Sequence, residues 1–145
     1  MQEDNEGWRA SRREAFEAHA QAQRRAEAAE SDRARPLVAD FVRRAGEQGL
    51  TSGPLRAKAY SGSVTYRTAL RGWYLQPTGV LAIGEDGGFY VLMVVGGFGA
   101  RLRGAQVEPS PPPLAVGRGA RDGESMSLQE MLEWRLAAGN AFRRL

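Results

Sequence analysis

Val80-Leu81-Ala82-Ile83, Gly84-Glu85-Asp86-Gly87-Gly88 and Phe89-Tyr90-Val91-Leu92-Met93-Val94-Val95 run on without interruption, and their reading decides the fold. Two apolar runs flank a cluster of turn residues. Asp86-Gly87 is the chemistry of a tight hairpin, because such residues take up positive φ at little cost. The stretch predicts an antiparallel hairpin. Its arms are almost continuously apolar rather than alternating, which predicts a place at the centre of a sheet covered on both faces, or in a small partly closed barrel.

On the amino-terminal side of the hairpin, Tyr60, Val64, Tyr66 and Leu70 alternate between Ser61-Gly62 and Arg71-Gly72 and predict one or two short strands, with Trp73-Tyr74-Leu75 continuing after Gly72. On the carboxyl side, further short strands are expected at Ala100–Leu102, Gln106–Val107 and Leu114–Val116. The run Pro109-Ser110-Pro111-Pro112-Pro113 separates the last two and reads as a stiff polyproline connector.

Helices flank this β region. Ser127-Leu128-Gln129-Glu130 is a capping box that opens a carboxyl-terminal helix, with Leu128, Met131 and Leu132 facing the core, Trp134 at the edge and Gly139 as the stop. Leu37, Val38, Phe41, Val42 and Ala45 recur at helical spacing and predict a core helix over about 34–46, ended by Gly46 and Gly49. Ser31-Asp32 and Pro36 mark a break before it. The preceding stretch predicts a separate helix from Asn5 to about Glu30, rich in alanine and charge, with Trp8 and Phe16 as its large apolar residues. The expectation is an α+β chain: a charged helical arm over 1–33, then one domain over 34–145. It comprises two amino-terminal helices, a small antiparallel sheet or partly closed barrel, and a carboxyl-terminal helix.

Composition narrows function by exclusion. The 145 residues contain no cysteine, so disulfides, thiolate nucleophiles and cysteine-held metals are absent. His19 is the one histidine, too little for a histidine metal site or a serine–histidine pair, and a solvated surface position is expected for it. No metal or cofactor is expected. No segment approaches the roughly 18 consecutive apolar residues of a membrane span, and the acidic start Glu3-Asp4-Asn5-Glu6 carries no leader-like apolar run. A cytoplasmic protein with no membrane partner is the expectation.

The net charge of +3 is spread along the chain, with arginine and acidic residues alternating from 3 to 47. Lys58 is the only lysine. An arginine-mediated nucleic-acid binder using Arg9, Arg12, Arg13, Arg24 and Arg25 is therefore an alternative function rather than the leading one.

Three local patterns invite a site. Val94-Val95-Gly96-Gly97-Phe98-Gly99 leads an apolar strand into glycines, but Leu102 stands where a dinucleotide-binding turn has its third glycine, and Gly104 and Pro109 interrupt the helix such a turn needs. Trp73-Tyr74-Leu75 is similar to the tripeptide that names the WYL ligand-sensing domains; the likeness covers three residues, and it transfers no function. Gly117-Arg118-Gly119-Ala120-Arg121-Asp122-Gly123-Glu124-Ser125 offers guanidinium groups and free amides to an anion, with Arg118, Gly119 and Arg121 as candidate contacts, balanced by Asp122 and Glu124.

A catalytic site is hard to assemble. Glu85 and Asp86 fall at a solvated hairpin tip, where ordinary pKa values make them poor general acids. Tyr66, Arg67, Arg118 and Asp122 share no spacing that specifies a reaction. No catalytic residue is assigned, and a small-molecule enzyme built on the Arg118–Asp122 loop ranks third. The leading expectation is a non-catalytic interaction or accessory protein. Trp8 and Phe16 are eight residues apart on one side of the arm with Arg12 between them, a docking stripe for a protein partner or a second copy of the chain.

Overall fold

The computed structural model describes residues 2–117 and 125–144. A long helix α1 (Gln2–Glu47) leads into strands β1 (Gly53–Ala59), β2 (Thr65–Tyr74), β3 (Leu81–Gly84), β4 (Phe89–Val91) and β5 (Met93–Val94). A short helix α2 (Phe98–Arg103), the two-stranded β6 (Ala115–Gly117) and β7 (Ser125–Ser127), helix α3 (Leu128–Ala138) and a 3-10 turn over Gly139–Ala141 complete the order. The α+β class holds.

The two expected amino-terminal helices are one helix of 46 residues with Pro36 inside it. A proline there removes the N–H that would meet the Asp32 carbonyl and costs about 3 kcal/mol. The stripe that packs on the body offsets this cost, because it straddles the proline. Ser31 and Ala34 are buried before it and Val38, Phe41 and Ala45 after it, on one face. Breaking the helix would pull one half of that stripe off the core. Its end is a Schellman motif: Gly49 takes φ 72°, the Leu50 N–H donates to the Ala45 carbonyl at 2.8 Å, and Leu50 folds back into the core.

The predicted hairpin forms. Antiparallel β3 and β4 pair Leu81 with Val91 and Ile83 with Phe89, across a turn in which Gly87 takes φ 83°. Its position in the sheet differs from expectation. The order is β4-β3-β2-β1-β5, so β4 lies at an edge and β2 at the centre. Along that edge, the Ser110 N–H donates to the Phe89 carbonyl at 2.7 Å, so the proline-rich connector, poor in free donors, closes off the strand. The sheet is also mixed rather than antiparallel, since β5 runs parallel to β1.

Leu92 alone separates the two outer strands β4 and β5, so the sheet curls strongly on itself. No closed barrel forms among the described residues. Small side chains permit the curl: Ala57, Ala59 and Ala82 line its inside with Leu55, Tyr66, Tyr90 and Leu92. Neither Ala100–Leu102 nor Gln106–Val107 is a strand. The former belongs to α2, where Phe98 and Leu102 fall four residues apart, and Ala100, Ala105 and Val107 cover the inner cluster.

The outer face of the sheet carries the larger core, where Trp73, Leu75, Leu81, Ile83 and Phe89 meet Phe41 of α1 and Leu128, Met131, Leu132 and Leu136 of α3. Phe41 and Trp73 pack edge to face at 5.7 Å, and the Trp73 indole donates to the Leu50 carbonyl at 3.2 Å. Ser127 caps α3 by accepting the Glu130 N–H at 3.0 Å. Buried Arg135 spends its donors on the Tyr74 and Gly139 carbonyls, at 2.8 and 2.9 Å, and lies 4.1 Å from the Phe142 ring centre. Burial pulls its pKa below the ordinary arginine value.

Candidate functional site

The geometry of the arm follows from where α1 first touches the body. From Asn5 to Ala29 no side chain is buried, and Ala20 alone is half-covered. Contact begins at Glu30, whose carboxylate accepts the Leu114 N–H at 2.8 Å, and at buried Ser31. At 1.5 Å per residue, the stretch from Gln2 to Glu30 projects about 40 Å. Alanine, glutamate and arginine hold this segment helical by propensity and local pairing, as in the contact between Gln23 and Glu27 at 3.4 Å.

Trp8 is 59% exposed and Phe16 75%, both within this projecting segment. The Arg12 guanidinium sits 4.6 Å from the Trp8 ring centre, a cation–π contact one turn along the helix. Arg9 and Arg13 join the three in a shallow open depression. The structure therefore brings Trp8, Arg12 and Phe16 together on one exposed surface. An amphipathic helix normally buries its large apolar residues against its own body. Here α1 holds them away from it, and the arrangement suits recognition: two exposed aromatic rings, a guanidinium laid on one of them, and adjacent charge.

The other sequence candidates scatter. Arg118, Gly119, Arg121 and the rest of the Arg118–Asp122 loop lie outside the described residues. Tyr66 is buried beneath Gly96, while Arg67 is exposed and donates to the Leu102 carbonyl at 3.2 Å. Arg24 and Arg25 are exposed on the arm, beyond the Trp8–Phe16 depression. His19 is exposed too.

At the hairpin tip, Asp86 differs from expectation. The Tyr90 hydroxyl donates to it at 2.6 Å and the Gly88 N–H at 2.9 Å, and these bonds hold its carboxyl below the usual range. It is an even poorer proton donor than a solvated aspartate. Glu85 meets the Ser52 hydroxyl and lies 3.8 Å from Arg71. Among the described residues no group of three or more histidine, aspartate or glutamate side chains is placed to hold a metal ion, and no helix is long and apolar enough to cross a membrane.

A second exposed apolar surface was not anticipated. Val95 is 86% exposed, and on the outer side of α2 Phe98 is 77% and Leu102 62% exposed. The signal lay in the four-residue spacing of Phe98 and Leu102, hidden because the flanking Gly97, Gly99 and Gly104 disfavour reading a helix there.

Comparisons with protein-family models, with curated proteins and with solved structures found no match.

Proposed function

We propose that the chain is a non-catalytic interaction or accessory protein that engages a protein partner, or a second copy of itself, through its amino-terminal arm. The observation that carries this reading is the exposure of Trp8 and Phe16 on a helix held clear of the body, with Arg12 stacked on the indole. Exposed aromatics cost solvation, and a helix segment with no buried side chain gains nothing from its own fold. Both costs are relieved when a partner covers the stripe. Fixing Trp8 beneath Arg12 also lowers the ordering entropy lost on binding.

The nucleic-acid alternative draws on the same depression, where Arg9, Arg12 and Arg13 surround two aromatic rings. The two readings separate by salt. Counterion release makes nucleic-acid affinity fall steeply with ionic strength, whereas aromatic anchoring falls modestly.

The test is affinity capture from nuclease-treated lysate, comparing the full chain with the Trp8→Ala/Phe16→Ala variant and with a chain lacking residues 2–28. A protein retained by the full chain and lost from both others supports the reading, as does arm-dependent dimerisation. Capture of nucleic acid in untreated lysate alone points to the alternative. No arm-dependent association of any kind overturns both.

A further inference from the structure

The second exposed surface has a charge character the arm lacks. Between Gly53 and Val107 the chain carries Arg56, Lys58, Arg67, Arg71, Arg101 and Arg103, but its only acidic residues are Glu85 and Asp86. Those two are occupied in the β3–β4 turn by Ser52, Arg71, Tyr90 and Gly88. Arg56 is likewise engaged, donating to the Thr65 hydroxyl and carbonyl. Among the described residues, Lys58, Arg67, Arg101 and Arg103 have no acidic partner.

Three of these cations, Arg67, Arg101 and Arg103, adjoin the exposed apolar residues. The Tyr60 N–H donates to the Val94 carbonyl at 3.1 Å, which sets exposed Tyr60 beside Val95. Arg67 reaches the Leu102 carbonyl, and the Ala105 N–H reaches the Arg67 carbonyl at 2.7 Å, which fixes α2 against β2. Arg101 and Arg103 flank Leu102 on α2 itself. Val95, Phe98 and Leu102 thus stand exposed beside the three guanidinium groups of Arg67, Arg101 and Arg103.

We propose that this part of the molecule docks on an anionic lipid surface. Attachment of this kind needs no spanning helix: apolar side chains enter the boundary between headgroups and acyl chains, and basic residues meet the anionic headgroups. The observations favour lipid over nucleic acid because Val95 and Leu102 are aliphatic, which contributes nothing to phosphate contact or base stacking. They favour it over a rigid protein groove partner because the apolar residues stand exposed, and a bilayer boundary admits them without a matching cavity. The surface is separate from Trp8 and Phe16, so this inference stands or falls apart from the arm.

The test is flotation of the full chain with vesicles of phosphatidylcholine alone and of phosphatidylcholine with phosphatidylserine. Binding to the anionic vesicles alone is expected, falling as salt rises. Arg101→Gln/Arg103→Gln weakens it about 25-fold, at about fivefold per cation near the surface. Phe98→Ser/Leu102→Ser weakens it at least about tenfold, from the apolar area no longer inserted. All four side chains are exposed, so thermal unfolding of the variants verifies an intact fold. Absence of binding to anionic vesicles, equal binding to both vesicle types, or indifference to the Phe98/Leu102 substitutions overturns the proposal. So does binding to a single-stranded oligonucleotide that the arginine substitutions abolish, if the vesicles do not bind.

Discussion

Glu30 accepts the Leu114 N–H at 2.8 Å, and this bond marks the point where the projecting half of α1 becomes part of the body. The Leu114 carbonyl in turn accepts the Leu128 N–H at 2.8 Å, so one residue after the proline run ties α1 to the start of α3. Removing the carboxylate leaves a half-buried N–H without its partner. Glu30→Ala is expected to lower stability by about 1–2 kcal/mol, while Glu30→Gln keeps an acceptor and most of the stability. Urea unfolding of both variants checks this, with faster amide exchange at Leu114 in the alanine variant as the local signature.

Pro36→Ala is expected to stabilise the protein. Alanine restores the bond to the Asp32 carbonyl and relieves the ring clash, worth about 3 kcal/mol in a helix interior, against about 0.4–1 kcal/mol lost because the unfolded chain regains freedom. The net gain is about 2 kcal/mol, read from the shift in the urea midpoint at constant slope. An unchanged or lower midpoint would mean that the helix does not run continuously through residue 36.

That continuity shows what the sequence could and could not disclose. The β3–β4 hairpin, the Ser127 cap and the Gly49 stop were legible because each is specified by neighbouring residues: Asp86-Gly87, Ser127 with Glu130, and Gly49 with Leu50. Pro36 was misread because its local preference to break the helix is overridden by burial of Ala34 and Val38 against residues far along the chain. Strand order was hidden for the same reason. The apolar run 89–95 looked central, but it pairs with β3 at one end and β1 at the other, a curl permitted by three small alanines on two strands, Ala57 and Ala59 of β1 and Ala82 of β3. Trp8 and Phe16 were readable as candidates from their isolation in a polar helix. The Val95–Leu102 surface was not, because three glycines masked a helix of six residues.

Gly72 is expected to resist substitution more than Gly87. A Cβ at Gly72 would fall on the Ile83 carbonyl and the Gly84 Cα of the adjacent strand, both backbone atoms that cannot swing aside. Gly72→Ala must separate β2 from β3 in the middle of the core, at a cost of about 3 kcal/mol or more. At Gly87 a Cβ meets open space, and the penalty is confined to its φ of 83°, about 1–2 kcal/mol. Thermal unfolding of the two alanine variants should rank them in that order, and the reverse ranking would displace the β2–β3 register Gly72↔Gly84.

The Tyr90–Asp86 bond predicts a pH response at both ends of the scale. Bonds from Tyr90 and Gly88 hold the Asp86 pKa below its ordinary value. Its contribution is therefore present above the unfolded pKa and is lost as pH falls through the folded one. For Tyr90, burial and then the Asp86 carboxylate push the phenol from 10.0 to about 12. Its contribution is full below pH 10 and is lost as pH rises through about 12. Tyr90→Phe removes the hydroxyl while keeping the ring beside Gly84 and Gly88, at an expected cost of about 1 kcal/mol near neutrality. The informative quantity is the difference between the two proteins, which isolates the Tyr90 hydroxyl. Urea stability of the parent minus that of Tyr90→Phe should be level through the middle of the pH range and shrink at both extremes. Phenolate absorbance of the parent should include a step near pH 12, and persistence of that step in Tyr90→Phe would assign it to another ring and remove the basis for the alkaline limb.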